Sequence, residues 1–163
     1  MGLQLQKEFL EHLEANRKII YKVCFIYCRN KSDVNDLYQE IVLQLWKSYP
    51  SFRQRSAFTT WMYRVALNTA ITAARKSAII FETDNVPEIS YDCESIMDLS
   101  EDTRLLYKAI SKLERMEKAV ILLWLEDRSY KEISDTMGIS VKNVSVKITR
   151  IKVKLSSILK NLQ

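Results

Sequence analysis

Asn143, Lys147, Arg150 and Lys154 recur at spacings of four, three and four, so on an α-helix they would share one face. An amide reads a base edge and cations hold phosphate, so this set suits nucleic acid rather than bond-making. No acid follows Asp135, whereas Lys142, Lys147, Arg150, Lys152, Lys154 and Lys160 all do. The field over the stretch is therefore unopposed. A second set, Trp61, Arg64, Asn68 and Arg75, is spaced by three, four and seven. Its indole could stack on an unpaired base, its amide read a base edge and its guanidinium groups grip phosphate, as single-stranded nucleic acid requires. Blander readings stand beside both: a helical hairpin with a solvated lysine face, and a core Trp61 with Arg64 as its surface neighbour.

The inventory for catalysis is thin. The chain has one His, His12, no motif that groups a nucleophile with a base, and no Gly-rich phosphate loop. Cys24, Cys28 and Cys93 are too few, with one His, to make a metal set. The expectation is a protein that is not an enzyme and needs no cofactor, with Cys24 and Cys28 serving as small buried hydrophobes and a redox switch as the alternative.

Tyr130 to Met137 reads as a short helix, Gly138 supplies a sharp turn, and Ser140 stands as N-cap of a longer helix. Val141, Val144, Ile148, Ile151 and Leu155 form the apolar stripe of that second helix. Helix, Gly turn and basic second helix together read as a helix-turn-helix that lays its second helix in a DNA major groove. Upstream, Leu105, Leu106, Ala109, Ile110 and Leu113 mark a helix resuming near Thr103, and Glu117 to Asp127 another, mostly buried.

In the first half, Gln4 to Cys28 reads as one amphipathic helix carrying Phe9, Leu13, Ile20, Val23, Cys24 and Tyr27. Ser32 or Asp33 is expected to cap the next, which runs to about Ser48 before Pro50 and buries Val34, Leu37, Ile41 and Leu45. Its outer surface, Asp33, Asp36, Gln39, Glu40 and Gln44, is either simply solvated or a docking face for a basic partner helix. After a loop through FRQRS, Ala57 to Lys76 reads as a third helix with Phe58, Met62, Val65 and Thr69 on one side.

With two Gly and two Pro in 163 residues, turn chemistry for a sheet is scarce, so an all-α fold is expected. Charge divides the chain into three. Residues 1–76 hold 12 bases and 6 acids, residues 77–102 hold 8 acids and no base, and residues 103–163 hold 13 bases and 6 acids. Two small basic domains, 1–76 and 103–163, are expected on either side of an acidic linker, 77–102. There is no apolar run long enough to span a bilayer and the N-terminus is too charged for a signal sequence, so no membrane insertion and a cytoplasmic location are expected.

Three stretches, DVNDLYQEIVLQLWKSYPSF, AFTTWMYRVALNTA and LYKAISKLERMEKAVILLWLEDRSYKEISDTMGISVKNVSVKITRIKVKL, resemble the extracytoplasmic-function sigma factors of bacterial RNA polymerase. The likeness covers nearly the whole chain in the right order. It implies a region-two-like bundle that melts and reads the promoter minus-ten element, and a region-four-like helix-turn-helix on the minus-thirty-five element. The partners implied are promoter DNA and the polymerase core, through its largest-subunit coiled coil and its flap, with an anti-sigma factor as a further candidate.

By the same likeness, Asp36, Gln39 and Glu40 dock on that coiled coil. Phe52, Arg53, Arg55, Ser56, Trp61, Arg64 and Asn68 meet minus-ten DNA, with the loop Phe52 to Ser56 helping to hold a flipped base that Asn68 reads. Ser140, Lys142, Asn143, Ser145, Lys147, Thr149, Arg150 and Lys154 meet minus-thirty-five DNA. Gln54 and Arg55 stand where relatives often carry Gly and an acid, and Ser145 where many carry Arg, which implies different base preferences. The competing reading is a conventional helix-turn-helix regulator that binds duplex through 103–163 without being a polymerase subunit. A helical interaction scaffold is a third.

Overall fold

The computed structural model describes residues 2–52, 56–77 and 100–162, and among them every regular element is a helix. The chain separates into two compact units, Met1–Asp98 and Leu99–Gln163. Most of the acidic stretch 77–102, with Cys93, lies outside the described residues, as does the Arg53 to Arg55 part of the loop.

In the first unit, α1 (Leu3–Ala15) and α2 (Arg17–Tyr27) replace the single helix expected over 4–28. The break falls at Asn16, whose side-chain amide donates to the His12 carbonyl at 2.8 Å. An Asn that bonds its own backbone in this way competes with the helical ladder, and here it takes the chain out of α-geometry at φ −123°. Next, α3 (Lys31–Ser48) is capped by Asn30, whose Oδ1 accepts from the Asp33 amide at 2.9 Å, so neither Ser32 nor Asp33 is the cap. A 3₁₀ turn (Tyr49–Ser51) follows, then α4 (Phe58–Ser77).

The core of this unit is a three-way seam. Ile20, Val23 and Cys24 of α2 and Val34, Leu37, Ile41 and Leu45 of α3 are buried, as are Met62, Tyr63, Ala66, Leu67 and Ala70 of α4. The buried face of α4 is rotated more than a quarter-turn from the expected Phe58, Met62, Val65 and Thr69. It packs against α2 and α3 together, and Ala66 and Ala70 let those backbones come close, a role that apolar spacing alone does not register. Burying each large side chain of such a seam is worth about 1.5–3 kcal/mol. The outer helix α1 buries only Phe9.

The second unit comprises α5 (Glu101–Ile110), α6 (Arg115–Leu125), α7 (Tyr130–Met137) and α8 (Val141–Leu162), with α8 packed against the other three. The first of these begins at Glu101, two residues before the apolar period resumes. Ser100 caps it, and Glu101 and Asp102 sit in a first turn that favours acids. Its buried face is Tyr107, Ala109 and Ile110, while Leu105 and Leu106 are half-buried. The next starts two residues earlier than expected, on a capping box of Glu114 and Glu117, and stops before Asp127 because Asp127 turns left-handed at φ 60°. No helix among the described residues is long and apolar enough to cross a membrane.

Candidate nucleic-acid interface

Local chemistry positions the helix-turn-helix. Ser129 and Glu132 form a capping box that starts α7: the Ser129 hydroxyl accepts from the Glu132 amide at 3.1 Å, and the Ser129 amide donates to Glu132 Oε1. Gly138, at φ 70°, ends it. The Ser134 hydroxyl then donates to the Ile139 carbonyl, tying the turn to the helix it leaves. Ser140 Oγ accepts from the Asn143 amide at 3.1 Å and starts α8.

Val144, Ile148, Ile151 and Leu155 are buried against the other helices. Val141 is not: at the first helical position it lies at the edge of that seam, exposed. Turned outward are Lys142, Asn143, Ser145, Thr149 and Arg150, with Lys147 half-buried beside them.

The cations of α8 fall into two groups. Lys154 is ion-paired to Glu117 of α6 at 2.9 Å, and Lys152 lies over the Trp124 ring, 4.2 Å from its centre. The Glu117 hydrogen bond, followed by the Glu117 and Glu114 charges, holds the Lys154 ammonium above the ordinary lysine range. Lys142, Lys147, Arg150 and Lys160 make no ion pair among the described residues. The cationic surface open to a partner is therefore concentrated in the first three turns of α8.

In the first unit, Arg64 and Asn68 are exposed one turn apart on α4, and Trp61, a turn before Arg64, is half-buried. The Trp61 ring sits 4.9 Å from Phe52, 5.4 Å from Phe58 and 6.1 Å from Tyr49. Around these, Phe9 meets Tyr49 at 5.2 Å and His12 stacks on Phe58 at 4.6 Å. Trp61 is thus packed on ring neighbours yet reaches solvent. Ser56 is exposed, and Arg53 and Arg55 lie outside the described residues. The aromatic density of residues 49–61 marks Tyr49 and Phe58 as ring neighbours of Trp61, whereas Phe9 and His12 reach the cluster only through the packing of α1.

Asp36, Gln39 and Glu40 are all exposed on α3. Asp36 and Glu40 edge a cavity of about 300 Å³ floored by Leu37, Ala70, Ala73 and Ala74. Gln39 instead borders a groove of about 400 Å³ that runs to α1 between Phe9, Leu10, Leu43 and Trp46. The three residues share one surface but two depressions. Among the described residues, no group of three or more His, Cys, Asp or Glu side chains could hold a metal ion.

The described residues form two helical units, one bearing a helix-turn-helix with a cationic outer face and the other an amide and a guanidinium beside a half-open indole. Residues 12–79 match Sigma-70 region 2, and residues 103–155 match Sigma-70, region 4. The chain is 33% identical to the ECF RNA polymerase sigma-E factor of Escherichia coli, over 74% of this chain and 70% of that one. It is 27% identical to the ECF RNA polymerase sigma factor SigG of Mycobacterium tuberculosis, over 93% of this chain and 48% of SigG, so it spans about half the length of that relative. Its fold is shared with the sigma factor RpoE of Bartonella quintana, solved in complex with the anti-sigma factor NepR, at a TM-score of 0.72 and 18% identity over 94% of this chain and 98% of that one. The chain belongs to the ECF RNA polymerase sigma factors.

Proposed function

We propose that this chain directs RNA polymerase core to promoters, binding two DNA elements at once and trapping melted bases at one of them. The observation that carries this reading is the division of α8. Its apolar seam is buried against its own unit, while Lys142, Lys147 and Arg150, off that seam, have no ion-pair partner among the described residues, as a helix seated in a major groove requires.

In this reading, residues 103–163 hold the minus-thirty-five element through Ser140, Lys142, Asn143, Ser145, Lys147, Thr149 and Arg150. Residues 1–76 hold the minus-ten element through Phe52, Arg53, Arg55, Ser56, Trp61, Arg64 and Asn68. Extruding a base costs a few kcal/mol, offset by stacking on the ring cluster and hydrogen bonds to the amide. The linker 77–102 keeps the two modules within one span and raises the local concentration of the second for its site. Its acidity fits a strap lying in a basic polymerase channel that keeps the free protein off DNA.

Asp36, Gln39 and Glu40 provide the polymerase contact on the largest-subunit coiled coil, with the flap contact falling to the second module. Bond-making belongs to polymerase, so the chain needs no catalytic group or cofactor. It works in the cytoplasm, and an anti-sigma factor is a further partner in keeping with the company its structural relatives keep. The test is transcription with purified chain, core polymerase and genomic DNA, followed by sequencing of RNA 5′ ends. New starts that appear only when the chain is added are expected. Tight duplex binding with no polymerase-dependent starts would favour a conventional regulator instead.

A further inference from the structure

We infer that Val146 reads a thymine methyl group and is a specificity-determining residue of this chain, an inference that rests on the proposed function above. Helical geometry places Val146 about 180° from the buried seam of α8, at the crest of the outward face. Lys142 and Thr149 lie on one side of it, Asn143 and Arg150 on the other, and its side chain is held open to solvent at 39% exposure.

When a helix enters a groove, its flanks meet the phosphate walls and its crest goes deepest. A crest residue without donor or acceptor cannot replace the water that hydrates the polar edge of guanine, adenine or cytosine, so facing those edges it leaves them desolvated and unpaired. The thymine C5 methyl is the apolar feature that a major groove offers. Valine suits it further because β-branching restricts χ1 in a helix, so little rotamer freedom remains to be lost on contact.

The neighbouring hydroxyl does not blur this reading, since the Thr149 proton is committed to the Ser145 carbonyl at 3.1 Å. Val153 lies on the same crest and is more exposed, at 69%, but about 10 Å farther along the axis. Recognition helices meet base edges through their N-terminal residues. Val153 also stands between Lys152 and Lys154, both held to α6.

The test is a selection by the full chain with core polymerase on a duplex library randomised over one helical turn, copied once with thymine and once with uracil, which lacks only the methyl. The wild-type chain is expected to enrich thymine over uracil at one position by about four-fold, the worth of one methyl removed from water. Val146→Ala, a substitution that favours the helix, is expected to bring that ratio to about one while the enriched bases elsewhere persist. A wild-type chain that selects a sequence but is indifferent to the methyl, or a preference that survives in Val146→Ala, overturns the inference and leaves the proposed function standing. No enrichment of any duplex from either library overturns both.

Discussion

The Lys154 ammonium donates to both carboxylate oxygens of Glu117, at 3.1 and 2.9 Å, across 37 residues of chain. Oε1, the oxygen 3.1 Å from Lys154, also accepts from the Glu114 amide at 3.1 Å. One carboxylate therefore starts α6 and holds the far half of α8 against it. Glu117→Ala should loosen both helices, with about 1 kcal/mol lost from the capping box alone. Lys154→Ala, removing a half-exposed partner, should cost less. Amide exchange across α6 and α8 in the full chain measures the difference, and equal effects would deny the capping role.

The same pairing separates the cations in their response to salt. Arg150→Ala should weaken promoter capture and reduce the slope of log affinity against log salt by about one counterion. Lys154→Ala should change that slope less, because its charge is already compensated by Glu117. Titrating binding of the polymerase-bound chain to promoter duplex at several salt concentrations checks this. An equal fall in both variants would move Lys154 onto phosphate.

Asn68 is exposed on α4, so Asn68→Ala removes an amide without opening a cavity. Association with polymerase should persist while strand opening, followed by permanganate reactivity of unpaired thymines, falls by roughly ten-fold or more, on the scale of a lost base-edge hydrogen bond. Loss of helical signal instead would return Asn68 to a structural role.

At Gly138 the backbone φ is +70°, and an added Cβ would meet nothing within 4 Å. The cost of Gly138→Ala is therefore conformational, about 1–2 kcal/mol, and Gly138→Asn should cost less because asparagine tolerates the left-handed region. Urea unfolding followed through α7 and α8 amides checks the order. If Asn proved as costly as Ala, the penalty would have to come from something other than backbone conformation.

Two groups in the second unit make it sensitive to alkali. Burial, then the Glu126 charge, raises the Tyr107 phenol above its ordinary range, and the Glu117 hydrogen bond does the same for the Lys154 ammonium. A raised folded-state value means that the stabilisation is complete below the unfolded value, about 10 for tyrosine and 10.4 for lysine. It drains away as pH rises past that value. Stability of the unit should stay flat from pH 8 to about 9.5 and then fall, and Tyr107→Phe should blunt the fall. Near-ultraviolet tyrosinate absorbance should show Tyr107 ionising late.

Much of this protein is legible along the chain. The spacing of Val144, Ile148, Ile151 and Leu155 sets the inward face of α8, because a helix admits only one such face. Ser140 and Gly138 mark its start and the turn before it because cap and left-handed positions accept few residue types. These are interactions between neighbours, so sequence distance and spatial distance coincide. Asn16 shows where local reading falters: its side chain could have continued the helix or bonded His12, and apolar periodicity does not say which.

What periodicity could not convey is which outward residues are already engaged. Lys147 and Lys154 look alike on a helical projection, but Lys154 meets a carboxylate that arrives from 37 residues away once α6 packs on α8. Trp61 likewise shares spacing with Arg64 and Asn68, yet Tyr49 and Phe52 wall it only when the turn after α3 folds back on α4. Propensity and amphipathic pattern act within a few residues, whereas the division of charges into paired and available, and of rings into packed and open, is made by helices meeting.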